Sequence, residues 1–239
     1  MNKQEKKFIR DLHHPKTRRP TGRCIVEGVR ALSTFMQSSH QLEQLYVSPK
    51  GLLHLDQLPY MVDYLDLDEE TMQSISAAST ASGLLAIFKI NTATQPLGPG
   101  IVCARLQDPG NVGTLIRTAA ALAKKTVVFV ESVDPWSPKV IQASAGTIAQ
   151  MEVHELSWSE LRIHAGNTPL YALVTQQGER PTPAHADGLF VIGNEAQGIP
   201  QEWVKDCTKK ITLPMPGNTE SLNAAIAGSI ALYMTLLFE

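Results

Sequence analysis

Ile101-Val102-Cys103-Ala104-Arg105-Leu106, running directly into Gln107-Asp108-Pro109-Gly110-Asn111-Val112-Gly113, is the stretch on which the reading of this chain turns. The first six residues form a mostly apolar run of strand length. The next seven hold a Pro-Gly turn and the residues that open a helix. Two further stretches repeat the pattern. Leu189–Ile192 precedes Gly193-Asn194-Glu195, and Lys210–Leu213 precedes Pro214-Met215-Pro216-Gly217, which leads to Ser221-Leu222-Asn223. Each sets small, backbone-exposing residues and one or two functional side chains where a strand ends. In open α/β sheets ligands bind at that edge, so three such edges predict one composite pocket.

Working outward, Thr126–Val130 and Leu170–Val174 are further strand candidates. Helical patterns run over about 111–124, 139–145, 159–164 and 220–237. Strands alternating with helices predict a parallel sheet covered on both faces, and continuous apolar strands agree with burial on both sides. The first part reads as a smaller α/β unit. It has an opening helix around Phe8, Ile9 and Leu12, strands at Cys24–Val26, Leu45–Val47, Val62–Leu65 and Leu84–Ile90, a helix through Phe35-Met36, and an acidic helix start at Asp66–Glu70. Asn91–Pro99 has linker chemistry. The expected organisation is therefore a domain over 1–90, a linker over 91–99 and a second domain over 100–239.

The net charge of −2 hides an asymmetry. Residues 1–30 carry nine Lys/Arg against Glu5, Asp11 and Glu27, a balance of +6, which leaves −8 on the remainder. Positive charge loaded at one end suits a polyanion; the plainer reading is a solvated helix face. The three cysteines, Cys24, Cys103 and Cys207, are odd in number and share no CxxC spacing, so free thiols in a reducing cytoplasm are expected. Leu222–Phe238 is short for a membrane span and contains Asn223, Ser229 and Thr235, which makes it a buried helix.

Common site motifs fail. Gly193–Gly198 has the glycine spacing of a P-loop, but Ile199-Pro200 stands where Lys-Ser/Thr would be needed. No G-x-G-x-x-G follows a strand, no G-x-S-x-G elbow occurs, and no cluster has metal spacing, so no metal is expected. His13-His14 reads as a surface pair. Taken singly, Asp108–Asn111 is a turn and helix start, Glu195 a loop acid, and Ser221 and Asn223 caps of the last helix. Arg117 and Asn223 resist that reading. Arg117 sits in a helix otherwise made of Leu, Ile, Ala and Thr, one turn beyond Gly113. Asn223 opens the most apolar helix, where its amide must find partners or cost stability.

As a set, these segments resemble the SpoU/TrmH-type RNA 2′-O-ribose methyltransferases of the SPOUT superfamily. The carriers are Asp108-Pro109-x-Asn111-x-Gly113 with Ile116-Arg117-Thr118-Ala119, Ile192-Gly193-Asn194-Glu195-x-x-Gly198, and Leu213-Pro214-Met215-x-Gly217 with Ser221-Leu222-Asn223. Ser144-Ala145-Gly146 is a lesser element. Lys16-x-Arg18-Arg19 ahead of Cys24–Arg30, with Ser79-x-x-x-Gly83, is similar to the family's auxiliary RNA-binding domain. The resemblance implies an α/β fold whose C-terminal parallel-sheet domain carries a deep trefoil knot, beside a small N-terminal α/β RNA-binding domain. It implies S-adenosylmethionine held by Thr175, Gly193, Leu213 and Leu222. Asn111, Arg117, Glu195, Ser221 and Asn223 fall at the catalytic positions. A homodimer is implied, as is a structured rRNA or tRNA substrate met by Arg18, Arg19 and Arg23. A non-catalytic RNA-binding or ribosome-assembly protein on the same scaffold is the alternative.

Overall fold

Residues 1–93, 95–217 and 221–236 are described by a computed structural model. Helix α1 (Lys3–Asp11) starts where Asn2 and Glu5 close a capping box, each side chain bonding the other's backbone N–H. It buries Ile9, followed by Leu12, and turns its charged residues outward. Then come α2 (Pro15–Thr21), β1 (Arg23–Glu27), α3 (Val29–Met36), β2 (Gln41–Val47), α4 (Pro49–Leu52), β3 (Tyr64–Asp66), α5 (Glu69–Ile75) and β4 (Leu84–Lys89). Asp68 caps α5 by accepting from Thr71 N–H. The sheet order is β1-β4-β2-β3, with β4 antiparallel to both neighbours and β3 parallel to β2. Ile25, Tyr46, Leu85 and Ile87 pack with Ile9, Leu12, Met72 and Ile75. Strand alternation sends Cys24 and Phe88 to the other face, where the Phe88 and Phe35 rings meet at 5.1 Å.

The chain forms two compact units, Met1–Asn91 with Asp134–Gln150, and Thr92–Val133 with Met151–Glu239. The segment 134–150, which lies within the stretch of sequence expected for the second domain, thus packs in the first unit. Thr34 Oγ1 donates to the Ala145 carbonyl, and the His40 and Trp136 rings meet edge to face at 5.2 Å. At Gly146 a Cβ would come within 2.7 Å of the Ala31 carbonyl oxygen, and φ is +80°, so only glycine fits.

In the second unit β5 (Gly100–Ala104), α6 (Pro109–Ala121) and β6 (Thr126–Val130) come first. After α7 (Pro138–Ala143) of the first unit follow β7 (Glu152–Glu155), α8 (Trp158–Ala165), β8 (Leu170–Leu173), β9 (Leu189–Ile192), α9 (Gln201–Asp206), β10 (Lys209–Ile211) and α10 (Ala224–Met234). Among the described residues the six strands lie in the order β10-β8-β9-β5-β6-β7, all pairs parallel. Trp158, Leu161, Trp203 and Val204 of α8 and α9 pack with Val102, Val128, Ala172 and Val191 in one core. On α10, a Cβ at Gly228 would lie 2.6 Å from Leu115 of α6 and 3.1 Å from Ile192, so the helix comes close to β9 and α6 only because Gly228 lacks one.

Successive strands run outward from β5 through β6 to β7, and the later strands are laid on the opposite side, with β9 beside β5. The sheet therefore reverses its winding between β5 and β9, and the carboxyl ends there form the crevice in which open α/β sheets bind ligands. The last helix corrects one expectation. It begins at Ala224 rather than near 220, because the Asn223 Oδ1 accepts from Ala225 and Ile226 N–H and fixes the start. Glu220 and Leu237, the ends expected for it, lie outside the described residues. No helix among the described residues is long and apolar enough to cross a membrane.

Candidate active site

Three chain segments meet at the crevice. Asp108 caps α6 by accepting from Gly110 and Asn111 N–H, which holds Asn111 in the first turn after β5. The Asn111 Nδ2 donates to Glu195 Oε1 at 2.7 Å, across the β5/β9 reversal. Its Oδ1 accepts from Asn223 Nδ2 at 3.0 Å. Asn223 caps α10 with its other side-chain atom, so one side chain both starts the helix and reaches Asn111. Each amide has a fixed orientation, and the bonds run in one direction from Asn223 through Asn111 to the Glu195 carboxylate.

Beside this chain lies a cavity of about 320 Å³. Its walls are the ends of β8 and β9 and the segments after β10. Thr175, Gly193, Leu213 and Leu222 all line it, together with Glu195 and Ser221. Leu173, Ile192, Met215 and Ala227 make it apolar on one side, and Glu195 is the one titratable side chain in the lining. At Gly193 a Cβ would sit 2.4 Å from the Gly198 carbonyl carbon and 2.5 Å from the Ile199 nitrogen, so the loop folds back tightly only on glycine.

Asn194, quoted in the sequence motif without a role, shapes that loop. Its Oδ1 accepts from Ala196 and Gln197 N–H at 2.9 and 3.1 Å, and its Nδ2 donates to the Arg105 carbonyl at 3.0 Å. The signal was available as the Asx-turn chemistry of an Asn at a strand end. Arg105 gave none. It adopts φ of +56°, stacks its guanidinium 4.7 Å from the Trp203 ring and pairs with Glu131 at 2.7 Å. A clasp behind Thr175 was also missed. Thr182 N–H donates to His185 Nδ1, so Nε2 carries the proton that bonds Glu179 Oε1 at 2.6 Å, and Lys209 Nζ reaches the same oxygen at 2.7 Å. Arg117 is exposed on α6, outside the cavity lining, with no hydrogen bond to Asn111, Glu195 or Asn223.

The SpoU rRNA methylase family model matches residues 99–233, more than half of the chain and all of this crevice. The chain belongs to the SpoU rRNA methylase family. A second model, the MRM3-like substrate binding domain, matches residues 3–86. The 23S rRNA (guanosine(2553)-2'-O)-methyltransferase RlmP of Bacillus subtilis is 24% identical over 96% of this chain and 95% of its own length. A solved chain from Porphyromonas gingivalis, assigned to the TrmH family of RNA methyltransferases, superimposes with a TM-score of 0.85 at 28% identity, covering 98% of each chain. The SpoU methyltransferase AviRb of Streptomyces viridochromogenes, solved in complex with AdoMet, shares the fold at a TM-score of 0.81 and 21% identity, over 98% of this chain and 97% of its own.

The basic arm departs from expectation. Arg18 is 3% exposed. Its Nη2 bonds Asp134 Oδ2 and its Nη1 the Leu12 carbonyl, both at 2.7 Å. A guanidinium buried inside the first unit is shielded from RNA phosphates, which contradicts the RNA contact expected of Arg18. Arg23 is partly exposed and paired with Glu43 at 2.5 Å, and Arg19 is exposed on α2. His13, expected at the surface, is part-buried and bonds the Ile75 carbonyl through Nε2 at 2.8 Å. The cysteines are free. Burial pushes the Cys103 and Cys207 thiols up to about 12 and Cys24 further still, so none is a ready nucleophile. Among the described residues no group of three or more His, Cys, Asp or Glu could hold a metal ion.

Proposed function

We propose that this chain transfers a methyl group from S-adenosylmethionine to a ribose 2′-hydroxyl of ribosomal RNA. The observation that carries the reading is the Asn223–Asn111–Glu195 chain beside the cavity at the sheet's reversal point. The residues present fit the cofactor. An apolar wall suits an adenine ring, the backbone of the loop from Gly193 to Gly198 offers polar groups, and the single carboxylate of the lining complements a cationic sulfonium. Thr175, Gly193, Leu213 and Leu222 are the residues proposed to hold it.

When bound, S-adenosylmethionine supplies an activated methyl group. The chain's own work is then to place the ribose oxygen in line, where positioning can supply much of the acceleration. Asn111 and Asn223, locked by their mutual bond, orient Glu195 and the substrate, with Ser221 at the cavity rim. A guanidinium is a poor proton acceptor, so the role of Arg117 is to clamp the phosphate next to the target ribose and stabilise developing charge.

The proposal includes a homodimer. Leu222, Ile226, Ile230 and Tyr233 on and before α10 are 38–55% exposed, and the last three recur at helical spacing on one face. A second copy would cover them at the edge of the cavity, which Leu222 also lines, so that each pocket draws on both subunits. A deep trefoil knot in the second unit and a cytoplasmic location belong to the same proposal.

Mapping ribose methylation across total RNA, in cells with and without the protein, tests it. A 2′-O-methyl mark lost on deletion and restored by the wild type but not by Arg117→Ala is expected. A lost mark that lies on a base, or no measurable affinity of the purified protein for S-adenosylmethionine in calorimetry, would overturn it. The second outcome favours the non-catalytic alternative.

A further inference from the structure

With Arg18 buried and Arg23 paired, the largest cluster of cations within residues 1–30 lies on α1. Lys3, Lys6, Lys7 and Arg10 recur at i, i+3, i+4 and i+7, which places all four on one helix face, along roughly 10 Å of axis. None forms a salt bridge among the described residues. These side chains line a cleft of about 610 Å³ together with His13, His14, Ser74 and Ser76, and Asp11 is its one acid.

A solvated helix face would be convex and would scatter its charges. Here the cations converge on a concavity. The helix presenting them is held rigid by its capping box and by Ile9 and Leu12, both almost wholly buried in the unit's core. We propose that this cleft binds the phosphate backbone of the RNA substrate, as the main electrostatic contact of the first unit. The inference rests on the RNA methyltransferase reading above and names the surface that reading requires. Serine hydroxyls and imidazoles around a cationic row suit phosphate oxygens and sugar hydroxyls better than a membrane surface, which would call for apolar residues beside the charges. Clusters of carboxylates, as on an acidic peptide, would meet the same charge without using the elongated row.

The test is the salt dependence of binding to protein-free 23S rRNA transcript, read by filter retention between 50 and 300 mM NaCl. Removing four phosphate contacts, in K3Q/K6Q/K7Q/R10Q, should weaken binding at least tenfold at moderate salt. It should also lower the slope of log affinity against log salt by roughly 3. The charge-preserving K3R/K6R/K7R variant should keep the wild-type slope, which separates lost charge from lost folding. Affinity for S-adenosylmethionine should be unchanged in both. If the wild type binds with a steep slope and the quadruple variant keeps it, the cleft proposal falls and the methyltransferase reading stands. A wild type with no RNA affinity at low salt removes both. Vesicles containing phosphatidylserine, or poly-glutamate, competing as well as RNA for the wild type but not for the quadruple variant would also overturn it.

Discussion

The crevice of the second unit and the basic face of the first solve opposite problems. In the crevice, a few polar side chains are tied to one another. Asn223, Asn111 and Glu195 sit on segments 84 and 112 residues apart and are joined by bonds of 2.7 and 3.0 Å with one direction. On α1, four cations sit together and form no salt bridge among the described residues. A methyl transfer tolerates little misplacement of the reacting atoms, whereas attraction to a polyanion depends on charge density and tolerates movement. Substitutions should therefore act sharply in the first place and cumulatively in the second.

The sharpest break is expected at Arg117. It belongs to neither set, being exposed without a bond to the crevice residues, so its loss should leave folding and cofactor affinity alone. Arg117→Ala should lower the methyl-transfer rate about a thousandfold, as expected for a group that acts on charge in the transition state. Arg117→Lys should restore little, since an ammonium cannot make the paired bonds to phosphate. Single-turnover methylation together with calorimetry checks this. Equal loss of cofactor binding would place Arg117 in the cofactor wall instead.

Next in size is Arg18→Ala, which tests where the division between the two kinds of site lies. A surface phosphate contact would lose RNA affinity at constant stability. A buried Arg–Asp pair that loses one partner should cost about 3–5 kcal/mol, because Asp134 is left charged and only 13% exposed. Urea denaturation should show the loss, and Asp134→Asn should reproduce much of it.

A smaller and more discriminating test is Asn223→Asp. Aspartate caps a helix as well as asparagine, so stability should hold within about 0.5 kcal/mol. Its carboxylate cannot donate to Asn111 Oδ1. Either that bond is lost, or the Asn111 amide turns and sets its oxygen against Glu195. The rate should fall roughly tenfold, an unmade or reversed bond being worth about 1–1.5 kcal/mol. An unchanged rate would reduce Asn223 to a cap.

These cases also mark what the sequence disclosed. Thr126–Val130 and Leu189–Ile192 were legible residue for residue because both are continuous apolar runs buried on two sides. β7 was not, because Glu152-Val153-His154-Glu155 is a polar edge strand with no such run. α9 is short and follows Pro200, and neither periodicity nor a cap announces it. Motif order gathered the members of the crevice, since all four expected cofactor residues line one cavity. The direction of the bonds among them was out of reach, as was the burial of Arg18 against an aspartate 116 residues away. Periodicity reports the face a residue occupies and carries nothing about a partner that distant.

The smallest effect is expected at Glu179, which ties the loop behind Thr175 to β10. Hydrogen bonds from Lys209 first and His185 second hold its carboxyl below the usual glutamate range, and the same bond raises Lys209. A carboxylate with a lowered folded pKa gives stability that is complete above its unfolded value, near 4.3, and disappears as pH falls through the folded value. Lys209 contributes below its ordinary pKa and loses that contribution as pH rises through the raised one. The melting temperature of the wild type should thus exceed that of Glu179→Gln by a constant margin from pH 5 to pH 9, and the gap should close toward pH 3. Both side chains are about half exposed, so the margin should shrink in high salt. A gap that stays open at pH 3 would mean that the glutamate acts through packing, and that the loop beside the cofactor corner is held by contacts as insensitive to charge as those of the core.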